Sequence, residues 1–381
     1  MSITRRKMIK ATIASAVVVS QFPLAQFGNA ETASAGTPVP FLDPLPTSPN
    51  RPMIRWDQLT EWITPDKDFF SVQHYGVANV DVSKWALEIS GLVNQPKLFT
   101  LDELKSMPRR EIVSTIECSG NGSSTTFMGA VANVRWTGTP LAPLLKKCGL
   151  QKEAVEVVFF GADEKMEKIK EGEYPQNFAR SLSVPDALQD KILLAYEMNG
   201  KPLPVVHGFP LRVIVPGWYG VAWVKWLKRI EVQDRRFMGR FMARDYVTIR
   251  GEERPDCTIW RETSVTRMNV KSIVAHVVQL ANGTMRITGV AWTDGTPLQR
   301  VELSIDKGGW LPMKHNLKQD SKYSWTFWTY DWKNPESGEH TLVSRATDAK
   351  GVIQPCAEDP QIKLKKTYYE ANAQYPRRIR V

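Results

Sequence analysis

Cys118 stands in the run Thr115-Ile116-Glu117-Cys118-Ser119-Gly120-Asn121-Gly122, boxed by small and turn-forming residues. The run closes an apolar, strand-like stretch that includes Ile112, Val113 and Ile116. A cysteine on such a turn presents its sulfur instead of packing it. Ionised, that sulfur is a nucleophile and a soft metal ligand. The ordinary role of an isolated cysteine is that of a small buried hydrophobe. Cys148, Cys257 and Cys356 have settings that suit it: a helix end, a loop and a Gln-Pro-Cys turn. The cysteine spacings match no disulfide framework, and 381 residues are enough to bury a core without staples. No Cys-x-x-Cys-His haem motif, zinc-spaced Cys/His set or Gly-rich nucleotide loop is present.

The elements that must hold this turn are legible as short strands and helices from about Trp56 to Glu253. Trp85–Gly91 alternates as a strand and ends on a glycine turn. Thr100 and Glu103 form a capping box for a helix start. Gly138–Cys148 reads as a short helix closed by Gly149. Ala154–Phe160 and Leu211–Val215 read as buried strands, the second broken by Pro216-Gly217. After about Thr263 the rhythm changes. Met285–Trp292, Arg300–Ile305, Tyr323–Trp328 and His340–Ala346 alternate as short strands separated by turns such as Asp294-Gly295, the pattern of an immunoglobulin-like β-sandwich.

The N-terminus reads as a targeting segment. Arg5-Arg6-Lys7 forms a twin-arginine pattern, followed by a modest apolar stretch and a small-residue site at Gly28-Asn29-Ala30. Residues 1–30 are expected to be removed after export of the folded protein to the periplasm, leaving no membrane span. Their removal leaves 46 Lys+Arg against 40 Asp+Glu, so the balance drops from +10 to +6. No dense basic run interleaved with aromatics is present, which argues against nucleic acid. An anionic substrate or an acidic partner suits the mild positive charge. Residues 31–55, rich in Pro, Ser and Thr, read as an extended arm.

Five separated motifs together resemble the sulfite oxidase family over nearly all of the chain beyond residue 30. Glu117-Cys118-Ser119-Gly120-Asn121 resembles the family's cysteine-ligand motif, and Arg135-Trp136-Thr137-Gly138 the strand–turn that follows it. Leu194–Gly200 leads into His207-Gly208-Phe209-Pro210-Leu211-Arg212, which resembles the pterin-contacting motif. Val215–Gly220 and Trp223-Val224-Lys225-Trp226-Leu227 close the set.

The resemblance implies an α+β fold: a sulfite-oxidase-type molybdopterin-binding domain over residues 56–262, then an immunoglobulin-like dimerisation domain over residues 263–381. It implies a molybdenum-pterin cofactor with a dioxo metal and Cys118 as its one thiolate ligand. By the same carry-over Phe70, His74, Asp163, His207, Arg212, Trp223, Val224 and Lys225 contact the cofactor. The cations among them face its terminal phosphate, helped by backbone N–H groups near Trp223 and Val224. Tyr246 stands over the metal and Trp136 walls the pocket. The activity implied is a molybdenum-dependent sulfite dehydrogenase. With no haem motif in the chain, an external c-type cytochrome takes the electrons, and the assembly is a homodimer or a complex with a haem subunit.

One departure bears on the substrate. Family members that oxidise sulfite carry an arginine in Phe-x-x-Arg-x-His, where this chain has Phe69-Phe70-Ser71-Val72-Gln73-His74. Gly122-Ser123-Ser124 occupies the region of a second basic residue. Losing a charge-assisted donor costs about 1.5–3 kcal/mol of anion binding. Pro376-Arg377-Arg378-Ile379-Arg380 resembles a segment that returns an arginine to the pocket, which makes Arg378 the expected replacement. The same cofactor acting on protein-bound sulfane sulfur, or as an oxo-acceptor reductase, is the alternative within the enzyme class. A non-catalytic exported interaction protein is the alternative outside it, and retention of Cys118 argues against it.

Overall fold

The computed structural model describes residues 36–43, 52–124, 126–315 and 322–381. The expected targeting segment and most of the expected arm lie outside them. Two sheets build the first part of the molecule. One runs Arg212–Ile214, Leu193–Met198, Val131–Pro140, Arg110–Glu117 in antiparallel order. The other runs Lys97–Phe99, Leu87–Gly91, Leu227–Gln233, Glu156–Ile169, Gly172–Ser183, with the pair Leu227–Gln233 and Leu87–Gly91 parallel. Their inward faces share one core, in which Val134, Trp136, Leu194, Val213, Phe159 and Ile230 are fully buried.

Local signals were honoured where the physics is local. Thr100 Oγ1 accepts the Glu103 N–H at 3.2 Å and Glu103 Oε2 accepts the Thr100 N–H at 2.7 Å, opening the helix Leu101–Ser106. The helix expected from Gly138 begins only at Leu141, because Gly138–Pro140 are still paired with the strand Leu193–Met198. It ends on Gly149, whose φ of 73° is the left-handed conformation that glycine tolerates. The strand expected to end at Phe160 continues to Ile169 after an irregularity between Phe160 and Glu164, its partner being a long polar hairpin arm.

The second part is a sandwich. One sheet orders Gly36–Val39, Lys271–Leu280, Met285–Trp292, Thr326–Trp332 and Lys314–His315. The other orders Leu311–Pro312, Leu298–Ile305, Glu339–Asp348 and Arg377–Arg380. Val274, Ile287, Val301, Leu303, Leu342 and Ile379 fill the space between them. The described part of the arm is thus an edge strand of this sandwich, paired from Gly36 to Val39 with Leu280 to Val277. The strand expected at Tyr323–Trp328 starts later, at Thr326. Tyr323 and Trp325 instead cross to the first sheet, where the Tyr323 carbonyl accepts the Thr115 N–H at 2.9 Å and Thr115 Oγ1 accepts the Trp325 N–H at 2.7 Å. A further cluster (Trp56, Tyr219, Phe241, Tyr246, Val265, Ile273, Trp292, Trp325) joins the two parts. Among the described residues no helix is long and apolar enough to cross a membrane.

Candidate active site

The strand Arg110–Glu117 delivers Cys118 to the floor of a cleft of about 670 Å³. Phe70, His74, Cys118, Asp163, His207, Arg212, Trp223, Lys225 and Tyr246 all line it. These residues come from separate elements, so the convergence is a tertiary event. The four cysteines are not disulfide-bonded, and Cys118 is half-buried.

One end of the cleft is cationic. His207 ends a short 3₁₀ turn, and Gly208 follows at φ 111°. A Cβ on Gly208 would come within 3.1 Å of Lys225 Cβ and 3.2 Å of Arg212 Cβ, so only glycine lets the three basic residues close up. Arg212 is held by the carbonyls of His207 at 3.0 Å and Trp223 at 3.2 Å, and its guanidinium lies 4.8 Å over the Trp136 ring. Lys225 Nζ donates to the Val206 carbonyl at 3.1 Å and to Ser71 Oγ at 3.4 Å. Burial, more than mutual repulsion, depresses all three. Arg212 falls to about 9, Lys225 to about 7 and His207 to about 3, which leaves the imidazole neutral. Asp163 is pushed up to about 6, also by burial.

The other end carries Tyr246. Its backbone is left-handed at φ 58°, a strained state for a tyrosine of the kind that collects at functional sites. Tyr246 Oη lies 2.8 Å from His74 Nε2. The His74 ring packs against the Phe178 ring at 5.8 Å and the Phe241 ring at 4.7 Å, and these two rings lie 4.5 Å from each other. Burial first, then the charge of Cys118, raises Tyr246 well above the usual phenol range, so its hydroxyl keeps its proton. Tyr369 stacks on Tyr246 at 4.8 Å.

Three expected residues stand elsewhere. Trp136 does not wall the cleft. It is fully buried one layer behind it, edge-on to Phe69 at 5.9 Å and to Trp223 at 5.8 Å, as the base on which Arg212 rests. Val224 is also buried behind the lining, its carbonyl accepting the Val213 N–H at 2.9 Å. The Trp223 N–H is spent on the Gly220 carbonyl at 3.0 Å and does not serve an anion. Arg378 is outside the cleft. It lies in the sandwich strand Arg377–Arg380, where its N–H donates to Asp43 Oδ1 at 2.7 Å and its side chain is exposed. Val72 lines the cleft at the position where a cation was expected in sulfite-oxidising relatives.

Sequence reasoning missed Ser71, Gln73, Phe178 and Trp226 in the lining. It also missed Arg180, fully buried within electrostatic range of Tyr246, with its fork committed to the carbonyls of Phe241 and Val265. None of these carries a local motif; Arg180 is one charged residue in the largely polar strand Gly172–Ser183.

The residues present fit a phosphate-bearing metal cofactor. Arg212 Nε and Ser119 Oγ are buried without a hydrogen-bond partner, both on the cleft lining. Cations whose charge burial penalises want an anion beside them. Among the described residues no cluster of three His, Cys, Asp or Glu side chains could hold a metal, so a metal beside Cys118 would take most of its ligands from a cofactor.

Comparison with known proteins agrees with this geometry. The family model "oxidoreductase molybdopterin binding domain" matches residues 74–241, and "Mo-co oxidoreductase dimerisation domain" matches residues 262–365. The mitochondrial sulfite oxidase of Homo sapiens is 31% identical over 334 residues, covering 78% of this chain and 58% of that protein. The chain thus spans under two thirds of the length of such relatives. The sulfite oxidase of Arabidopsis thaliana is 28% identical over 332 residues, covering 78% and 83%. Among solved structures, the sulfane dehydrogenase SoxCD of Paracoccus pantotrophus superposes with a TM-score of 0.72 at 26% identity over 96% of each chain.

Proposed function

The chain belongs to the sulfite oxidase family of molybdopterin oxidoreductases, and from that premise we propose that it is a periplasmic, molybdenum-dependent sulfite dehydrogenase. It oxidises sulfite to sulfate and passes the electrons to an external c-type cytochrome. The observation that carries this reading is one cleft with a presented thiol, Cys118, at its floor, a protonated phenol, Tyr246, at one end and three converging basic residues at the other.

When bound, a molybdenum-pterin group supplies oxygen-atom transfer and two-electron redox chemistry. Cys118 is the residue that would hold the metal, a dioxo centre with one protein thiolate. Arg212 and Lys225, with His207 as a neutral hydrogen-bonding partner, would hold the terminal phosphate. Tyr246 offers its hydroxyl to a substrate oxyanion at the opposite end, and His74, packed in a cluster with Phe178 and Phe241, fixes the direction of that hydroxyl. The aromatic walls exclude water, which strengthens each of these interactions. The twin-arginine pattern at Arg5-Arg6 supports export to the periplasm, and the match to a dimerisation domain supports a homodimer.

A second reading has its own observation. Val72 lines the cleft and Arg378 does not reach it, so among the described residues neither expected cation stands where a free sulfur oxyanion would use it. A sulfane sulfur carried on a partner protein would not need them, and the likeness to a sulfane dehydrogenase over 96% of both chains supports that substrate. The test is sulfite-dependent reduction of an added c-type cytochrome by the molybdenum-loaded protein. Turnover at micromolar sulfite is the expected result. A fully loaded enzyme that ignores sulfite keeps the cofactor assignment and moves the substrate to carried sulfur. Cys118→Ser should abolish turnover and leave the fold intact.

A further inference from the structure

The residue before Cys118 is a carboxylate with no access to solvent, and two of its three hydrogen-bond donors come from the sandwich. Glu117 Oε1 accepts from Lys271 Nζ at 2.5 Å and from Asn121 Nδ2 at 2.9 Å, and Oε2 accepts from Trp292 Nε1 at 2.9 Å. Glu117 is 0% and Lys271 2% exposed. Lys271 also donates to the Asn121 carbonyl at 2.9 Å. Asn121 in turn closes the cysteine turn. Its N–H donates to the Cys118 carbonyl at 2.9 Å, and its Oδ1 accepts the Ala130 N–H at 3.0 Å. The Cys118 N–H donates to the Ala130 carbonyl at 2.9 Å.

Lys271 and Trp292 are direct cross-strand partners on the two neighbouring strands Lys271–Leu280 and Met285–Trp292, so one end of the sheet presents both donors. Trp292 stacks at 6.4 Å on Trp56, whose Nε1 donates to the Met128 carbonyl on the returning limb of the same loop. A buried ion pair is a poor way to gain stability, since apolar residues of similar volume often do as well. What it supplies is direction: three donors on two oxygens fix one orientation of Glu117 and therefore of the next residue.

We propose that Lys271 and Trp292 are positioning residues for the Cys118 sulfur, so that the β-sandwich, acting through Glu117 and Asn121, sets where the metal-binding thiolate points. This rests on Cys118 being the thiolate ligand. The function of the second domain then includes holding the metal site, apart from any role in pairing subunits.

Two full-chain variants loaded with the molybdenum-pterin cofactor test it. Trp292→Phe keeps the ring on Trp56 and removes one donor to Glu117. The double variant Glu117→Gln/Lys271→Met removes both charges together. Folding is checked by thermal unfolding. The readouts are the thiolate-to-molybdenum charge-transfer absorption and the rate of iodoacetamide labelling mapped to Cys118, with exposed Cys257 as internal control. The expected result is a shifted absorption and labelling of Cys118 about tenfold faster, the equivalent of roughly 1.4 kcal/mol, with Cys257 unchanged. Folded variants with the wild-type absorption and labelling rate would overturn the proposal. If the double variant does not fold, Trp292→Phe decides alone. A wild-type protein that contains molybdenum but lacks the charge-transfer absorption would sink the ligand assignment instead, while the labelling rates still report on the network.

Discussion

Tyr246 Oη and His74 Nε2 lie 2.8 Å apart, joining the strained Tyr246, which follows the helix Arg240–Ala243, to a ring packed in a cluster with Phe178 and Phe241. The contact lets the phenol serve as a proton donor whose direction is set before substrate arrives. Because burial raises the Tyr246 phenol well above its usual range, it stays neutral across the working pH range.

Tyr246→Phe should therefore lower kcat/KM by about 100-fold, the low end for a positioned acid–base group. Molybdenum content and melting temperature should hold, because the ring contacts with Tyr369 survive. Steady-state kinetics on metal-normalised enzyme would check it. An unchanged kcat/KM would remove Tyr246 from the chemistry.

The cationic end makes a prediction with a defined sign. Burial lowers Lys225 to about 7, while His207, at about 3, stays neutral above pH 5. An anion binds the protonated lysine better, so affinity is full below pH 7 and is lost as pH rises through it. Asp163, at about 6, ionises just below that window and weakens anion binding in the same direction. Titrating cofactor-free protein with sulfate, a dianion throughout, should show Kd rising about tenfold per pH unit above 7. In Lys225→Met the slope should flatten. A wild-type Kd independent of pH between 6.5 and 8.5, a window of about two units around the lysine, would show that Lys225 does not face the anion.

Gly208→Ala should be damaging out of proportion to one methyl group. At φ 111° the alanine carries backbone strain of about 1–3 kcal/mol. Its Cβ also presses on the Cβ atoms of Lys225 and Arg212. Thermal unfolding should register the strain, and pterin content should fall more steeply than stability because the cations are spread apart. Full cofactor content in the folded variant would mean that their close approach is not needed for binding.

How much of this was legible beforehand follows the range of the forces. The Thr100–Glu103 capping box and the Gly149 stop are decided within four residues, and the sequence predicted both. The turn at Cys118 was equally readable from Ser119-Gly120-Asn121. Side-chain direction was not, because it depends on strand register. Trp136 carries the expected motif, yet its strand points it away from the cleft. Arg377 and Arg378 alternate in and out along one strand, and the register buries Arg377 against Asp43 and leaves Arg378 exposed. Ser71 and Phe178 approach the cleft from distant parts of the chain. The pair Glu117–Lys271 bridges 154 residues, a separation at which local patterns carry no information.

Val72 offers the sharpest separation of the two substrate readings. It lines the cleft where a guanidinium would serve an oxyanion, and Val72→Arg would restore one charge-assisted donor. If sulfite is bound as a free anion, that donor should lower its KM by about tenfold, since such a bond contributes roughly 1.5–3 kcal/mol and burial of the new charge takes back part of it. kcat should change little, because the added binding is shared by ground and transition states. If the substrate is a sulfane sulfur carried on a protein, the longer side chain obstructs a channel shaped by valine. Turnover with the carried substrate should then fall while sulfite turnover appears or improves. Kinetics with both substrates on one metal-normalised preparation reads the two outcomes directly. A variant whose KM for sulfite does not move would mean that position 72 faces away from the substrate, and the missing cation would then have no bearing on which sulfur compound the enzyme takes.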